Sequence, residues 1–166
     1  PMDLSLRGGL LWDQLESMGV QDVVGVYDYS RYLWVVGIKQ RYGGHARQVG
    51  HAAIAAAASA RDGRYVVVVD EDIDPTNLKE VLWAMMTRVD PKTDIEIVEG
   101  SWSTPLDPRM PPEKKAARDY TNSRAIFYAL RPFAWRDNFP KVSRASRQLR
   151  ETVVEKYRSI LPFPPI

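Results

Sequence analysis

The apolar positions of this chain follow two periods, one helical and one extended, and the switches between them outline its elements. Leu11, Leu15 and Met18 share one helical face, and Gly19 follows where a left-handed C-terminal cap belongs, which predicts a first helix. Residues 22–29 and 32–39 are rich in Val, Tyr, Trp and Ile and are separated only by Ser30 and Arg31, so two tightly joined strands are expected. A polar, flexible stretch through Gly43 and Gly44 then leads into an alanine-rich helix over about residues 45–60. Ala46, Val49, Gly50, Ala53, Ile54 and Ala57 recur at helical spacing, and their small size lets the helix axis approach a sheet closely.

Residues 65–69 are apolar without alternation, as a strand covered by helices on both faces requires, and this strand is placed at the centre of the sheet. Asp74-Pro75 reads as an immediate helix start. Leu78, Val81, Leu82, Met85, Met86 and Val89 read as a complete core stripe, stopped by Asp90-Pro91. With a strand at 94–98, the succession strand, helix, strand predicts a right-handed parallel unit. Residues 100–115 are proline-rich and lack periodicity, so a functional or mobile loop is expected there. A short helix is expected at 123–130. A long one is expected at 141–161, with Leu149, Val153, Tyr157 and Ile160 aligned and a basic opposite face. The predicted fold is α/β: a three-layer sheet with a parallel βαβ core flanked by helices, plus the long C-terminal helix. The expected division is an α/β domain at residues 1–140 and a partner-contacting helix and tail at 141–166.

Composition narrows the function. A length of 166 residues with 45% apolar content suits one core, and a net charge of +2 leaves no footprint for nucleic acid. The absence of cysteine excludes disulfides, thiolate zinc sites and a cysteine nucleophile, and fits a reducing cytoplasm. The longest apolar stretch, residues 52–58, is too short to span a bilayer, and the N-terminus, with Asp3 and Arg7, shows no signal-peptide pattern. A soluble cytoplasmic chain with no membrane partner is expected.

The candidate chemistry begins with Asp70, Glu71, Asp72 and Asp74 at a strand end. Carboxylates there can ligate Mg²⁺ for phosphoryl transfer, but no lysine or Ser/Thr pattern completes that apparatus, and a hydrogen-bonded capping turn outweighs it. His45 and His51 are six residues apart and point different ways on a helix, so they do not form a metal pair. Lys39, Arg41 and His45, beside two glycines at a helix start, make a carboxylate-binding cluster, against the plainer reading of His45 as structural. Trp102 with Ser101, Ser103 and Thr104 can line a pocket or pack on its own domain. No phosphate-binding glycine loop and no GxSxG elbow is present.

Three segments carry a family resemblance: IKQRYGGHARQV (38–49), VVVVDEDIDPTNLKEVLWAMMTRVDP (66–91) and SRAIFYALRPFAWRDNFP (123–140). Together they resemble the C-terminal domain of the UbiD-type decarboxylases, enzymes that use prenylated FMN to remove, or reversibly add, a carboxyl group on aromatic, heteroaromatic or α,β-unsaturated acids. In that family the flavin-binding split barrel and the catalytic Glu-Arg-Glu set precede this domain. The resemblance therefore assigns no catalytic, cofactor-binding or metal-binding residue to this sequence, and prenylated FMN with its metal ions is not expected to bind this chain alone. It implies one wall of the substrate pocket, with Lys39, Tyr42, His45, Ser101, Trp102 and Leu106 facing the substrate. It also implies a flavin-domain partner and a homo-oligomer contact through the C-terminal helix. The alternative is a non-catalytic interaction or regulatory module with the same fold.

Overall fold

Two helices and a lone third sandwich a five-stranded sheet in a computed structural model that describes residues 6–142, 146–158 and 160. The elements run α1 Leu6–Ser17, β1 Val23–Tyr29, β2 Leu33–Ile38, α2 His45–Ala55, β3 Tyr65–Asp70, α3 Leu78–Arg88, β4 Ile95–Trp102, α4 Pro112–Ala116, β5 Thr121–Ala129 and α5 Arg147–Tyr157. The chain divides into two compact units, Pro1–Arg136 and Asp137–Ile166. The strand order is β1-β2-β3-β5-β4, with β2, β3 and β5 parallel and both outer strands antiparallel.

The run of valines in β3 does occupy the centre, and its residues divide between two cores as strand alternation requires. Val66 and Val68 pack with Leu11 and Leu15 of α1 and Val49 and Ala53 of α2. Val67 and Val69 pack with Val81 and Ala84 of α3. Gly50 is where α2 comes closest, since a Cβ there would lie 2.7 Å from Ile126 Cγ2. The β1–β2 hairpin turns on Ser30 and Arg31 at φ 53° and 68°, left-handed values that the strand twist favours at both corners. The Trp34 indole N–H donates to the Arg31 carbonyl at 2.8 Å and holds that turn.

Several expectations are corrected. Residues 123–130 are not a helix but most of β5, a buried parallel strand. Its polar opening, Thr121 to Arg124, hides the extended pattern, because buried Arg124 satisfies itself on the carbonyls of Gly63, Ala60 and Trp102. The strand after α3 does not extend the parallel set: β4 is an antiparallel edge strand on β5, so the parallel neighbours of β3 are β2 and β5. It also runs to Trp102, shortening the expected loop, whose far end forms α4.

Helix boundaries move as well. α2 stops at Ala55 where Ala56 turns extended. α3 begins at Leu78, three residues after the Asp74-Pro75 signal, because the Asp74 carboxylate instead accepts from Thr76 N–H at 2.9 Å and closes a local turn. The stripe on α3 is only partly core: Val81 and Ala84 are buried, whereas Leu78, Leu82 and Met86 stand exposed, Met86 at 76%. In the second unit, α5 is shorter than residues 141–161. It starts after Ser146, whose Oγ accepts from Leu149 N–H at 3.1 Å, and Leu161 lies outside the described residues. Leu149, Val153 and Tyr157 are exposed on it.

Candidate functional site

Parallel strands end together, so the segments after β2, β3 and β5 converge on one edge of the sheet, where open α/β folds place their ligands. Asp70, the last residue of β3, is fully buried at this edge. Its carboxylate accepts from Gln40 Nε2 at 2.7 Å, Arg88 Nη1 at 2.9 Å, Arg131 backbone N–H at 2.7 Å and Arg131 Nε at 3.0 Å. One carboxylate thus ties the loop after β2, the end of α3 and the loop after β5. Gln40 adds a bond to the Arg131 carbonyl at 2.9 Å, and Arg136 Nη1 donates to the Gln40 carbonyl at 2.9 Å.

Arg88 also grips Asp72 in a two-pronged pair at 2.9 and 2.7 Å. That hydrogen-bonded pair, with the Arg131 charge nearby, holds the Asp72 carboxyl below its ordinary range. Guanidinium groups therefore already sit where a Mg²⁺ ion would have to bind, and the acidic turn is a bracing element. Among the described residues no group of three or more His, Asp or Glu side chains is arranged to hold a metal.

Lys39, Tyr42 and His45 all follow β2 at this edge, and Tyr42 and His45 are in ring contact. His45 is the first residue of α2, set by Gly44 in the left-handed region at φ 92°, and is completely buried. Its Nδ1 accepts from Arg41 N–H at 3.3 Å, and Nε2 has no hydrogen-bond partner of normal geometry. Burial pushes the imidazole below its ordinary pKa; the Gln21 carbonyl opposes this and the Arg41 charge adds to it. His45 is consequently neutral near pH 7 and lies beneath Tyr42, whose ring centroid is 4.8 Å away. Tyr42 is half exposed, and its hydroxyl donates to Gln48 Oε1. Arg41 is occupied by Asp22, through Nη2 to Oδ1 at 2.9 Å. Lys39 is exposed, and its ammonium has no partner among the described residues.

Ser101, Trp102 and Leu106 do not join them. Ser101 and Trp102 pair with Asn122 and Thr121 at the start of β5, whereas residues 39–45 follow the level of its end. About ten residues of strand rise separate the two groups, or roughly 30 Å. The expected single face is thereby split between opposite edges, with Trp102 and Leu106 exposed at 61% and 81%. Of the residues that unite the carboxyl edge, Asp70 was weighed only as a metal ligand, and Gln40, Arg88 and Arg131 were not among the candidates. Only the acidic turn hinted at them, since charge partners distant in sequence leave no local pattern.

The family model described as the 3-octaprenyl-4-hydroxybenzoate carboxy-lyase C-terminal domain matches residues 6–129, most of the chain. The chain belongs to that family. Among its curated relatives, the phenolic acid decarboxylase of Bacillus subtilis (strain 168) is 37% identical over 100 residues, covering 59% of this chain and 21% of its own. That of Streptomyces sp. (strain D7) is 33% identical over 135 residues, covering 80% of this chain and 26% of its own. Among solved structures, the UbiD-class enzyme HmfF from Pelotomaculum thermopropionicum in complex with FMN superposes with a TM-score of 0.74 at 25% identity, over 91% of this chain and 32% of that one. The open form of Sedimentibacter hydroxybenzoicus vanillic acid decarboxylase gives 0.71 at 26% identity, over 92% and 32%. This UbiD-type C-terminal domain thus spans about a quarter or less of these curated relatives and about a third of these solved chains.

Proposed function

We propose that this domain forms one wall of the substrate pocket of a reversible prenylated-FMN-dependent decarboxylase acting on aromatic, heteroaromatic or α,β-unsaturated carboxylic acids. A flavin-binding domain completes the site. The observation that carries this reading is Lys39. At an edge where Arg41, Arg88 and Arg131 are each paired with carboxylates, its ammonium alone among these four cations stands free to receive a substrate carboxylate. Tyr42, three residues on in the same loop, offers an aromatic face, and buried neutral His45 supports that ring from below.

The bracing around Asp70 keeps these loops in place as the two walls meet, which is what positioning an acid against a cofactor requires. Neither concavity at this edge, about 350 Å³ and about 180 Å³, is lined by Lys39, Tyr42 or His45, which supports an open wall rather than an enclosed site at these residues. When held by the partner domain, prenylated FMN would supply the covalent chemistry of carboxyl loss. This chain's residues bind and orient the acid. The exposed apolar row Leu149, Val153 and Tyr157 on α5 supports a further role in homo-oligomer contact.

The test mixes this chain with a flavin-binding domain of the family loaded with prenylated FMN, and follows decarboxylation of an aromatic acid. Lys39→Ala is expected to raise KM at least tenfold without changing assembly measured by light scattering. Unchanged kinetics would favour the non-catalytic module instead. Tight binding of prenylated FMN by the isolated chain would refute the proposed division of labour.

A further inference from the structure

At the opposite edge of the sheet, where β3 and β5 begin, lies a cavity of about 490 Å³, larger than the concavities of about 350 Å³ and 180 Å³ at the carboxyl edge and within the range of small-molecule sites. Ile97 and Met110 supply apolar wall, while Arg64, Arg109, Lys114 and Arg124 face a single lining carboxylate, Asp107. Most of these charges are already engaged. Asp107 takes Arg64, the Arg109 backbone N–H at 2.8 Å, Ser103 Oγ at 3.1 Å and Asn122 Nδ2 at 3.0 Å. Lys114 Nζ donates to Thr121 Oγ1 at 2.9 Å and pairs with Asp119 at 3.3 Å. Arg124 spends its terminal nitrogens on three carbonyls.

Two groups are left over. The guanidinium of Arg109 makes no hydrogen bond or ion pair among the described residues and is exposed. Asn122 commits its amide nitrogen to Asp107 and, at 3.0 Å, to Ser103 Oγ. A carboxylate can only accept, so the amide cannot be turned round to set its oxygen against Asp107, and Oδ1 must be the free acceptor. That oxygen is buried and receives no hydrogen bond. An excess of positive charge with one free guanidinium calls for an anion; a locked acceptor without a partner calls for a donor.

We propose that this cavity binds a small organic anion: a carboxylate or phosphate head engaged by Arg109, an apolar body against Ile97 and Met110, and a hydroxyl or N–H donated to Asn122 Oδ1. The site is separate from the carboxyl edge, so it stands or falls independently of the decarboxylase reading. Titration calorimetry of the whole 166-residue chain with 4-hydroxybenzoate as probe tests it. Saturable one-to-one binding is expected, weakened at least tenfold by Arg109→Glu and unaffected by Lys39→Ala. Benzoate, which lacks the donor, should bind several-fold more weakly. Phenyl phosphate distinguishes the two heads, and competition between it and 4-hydroxybenzoate is expected. Absence of saturable binding by either anion overturns the proposal. So does binding that survives Arg109→Glu, or that Lys39→Ala abolishes, which would place the ligand at the other edge. Since Arg109 is exposed, its replacement leaves the fold intact, and an unchanged thermal unfolding midpoint checks that.

Discussion

Arg88 and Asp70 meet at 2.9 Å with both side chains buried, joining the last turn of α3 to the last residue of β3. Asp70 also takes Arg131 and Gln40, so the pair is the hub of the carboxyl edge. Removing the carboxylate leaves Arg88 with the half-exposed Asp72 as its ionic partner and strips Arg131 of its principal partner. Asp70→Ala is therefore expected to cost about 3–5 kcal/mol of folding stability, measured by urea denaturation. A loss within about 0.5 kcal/mol, typical of surface changes, would show that the hub is not structural.

The acid response follows from Asp107 and Asp72. Although burial raises Asp107, its bonds from Arg64, the Arg109 amide and Asn122 hold it far below the ordinary carboxylate range. Asp72 is lowered chiefly by its Arg88 hydrogen bond. Because both folded pKa values are depressed, their stabilisation is fully present above the unfolded value of about 4 and is lost as pH falls through the folded values. The urea midpoint should thus fall between pH 5 and pH 3. In Asp107→Asn that fall should be smaller, and an equal fall would remove Asp107 as a cause.

Close approach of α2 to the sheet depends on Gly50. An added Cβ would meet Ile126 Cγ2 at 2.7 Å and Tyr128 Cε1 at 3.0 Å, both parts of the same packed core. Gly50→Ala should destabilise by about 1–3 kcal/mol through overpacking, despite the better helix propensity of alanine. A gain in thermal midpoint would mean that the core yields more easily than its packing suggests.

On α3 the two halves of the apolar stripe should behave differently. Val81 is buried against β3, so Val81→Ala should cost about 2 kcal/mol, whereas Met86→Lys at an exposed position should stay within about 0.5 kcal/mol. Equal costs in chemical denaturation of the isolated chain would contradict this exposure pattern.

Local order was legible wherever one period ran unbroken. The valine run of β3, the hairpin around Ser30 and Arg31, and the glycine after α1 each express a constraint carried by a few consecutive residues. The family, too, was readable in the segments 38–49 and 66–91, whose residue order survives without reference to space. Where local pattern and burial part company, reading by sequence failed: β5 opens with polar residues that include buried Arg124, satisfied by carbonyls distant in sequence, and α3 carries exposed apolar residues.

Tertiary structure alone decided which residues share a site. Strand direction in the sheet places Lys39, Tyr42 and His45 at one end and Trp102 at the other, because β4 pairs antiparallel and so brings its end to the start of β5. It likewise turned Asp70 from a candidate ligand into a hub, by bringing Gln40, Arg88 and Arg131 from three segments onto one carboxylate. Charge pairing and strand order act over distances the chain spans only once folded. The sequence by itself therefore determined the elements whose period runs unbroken and the family they build, while the folded sheet determined which of their side chains could meet.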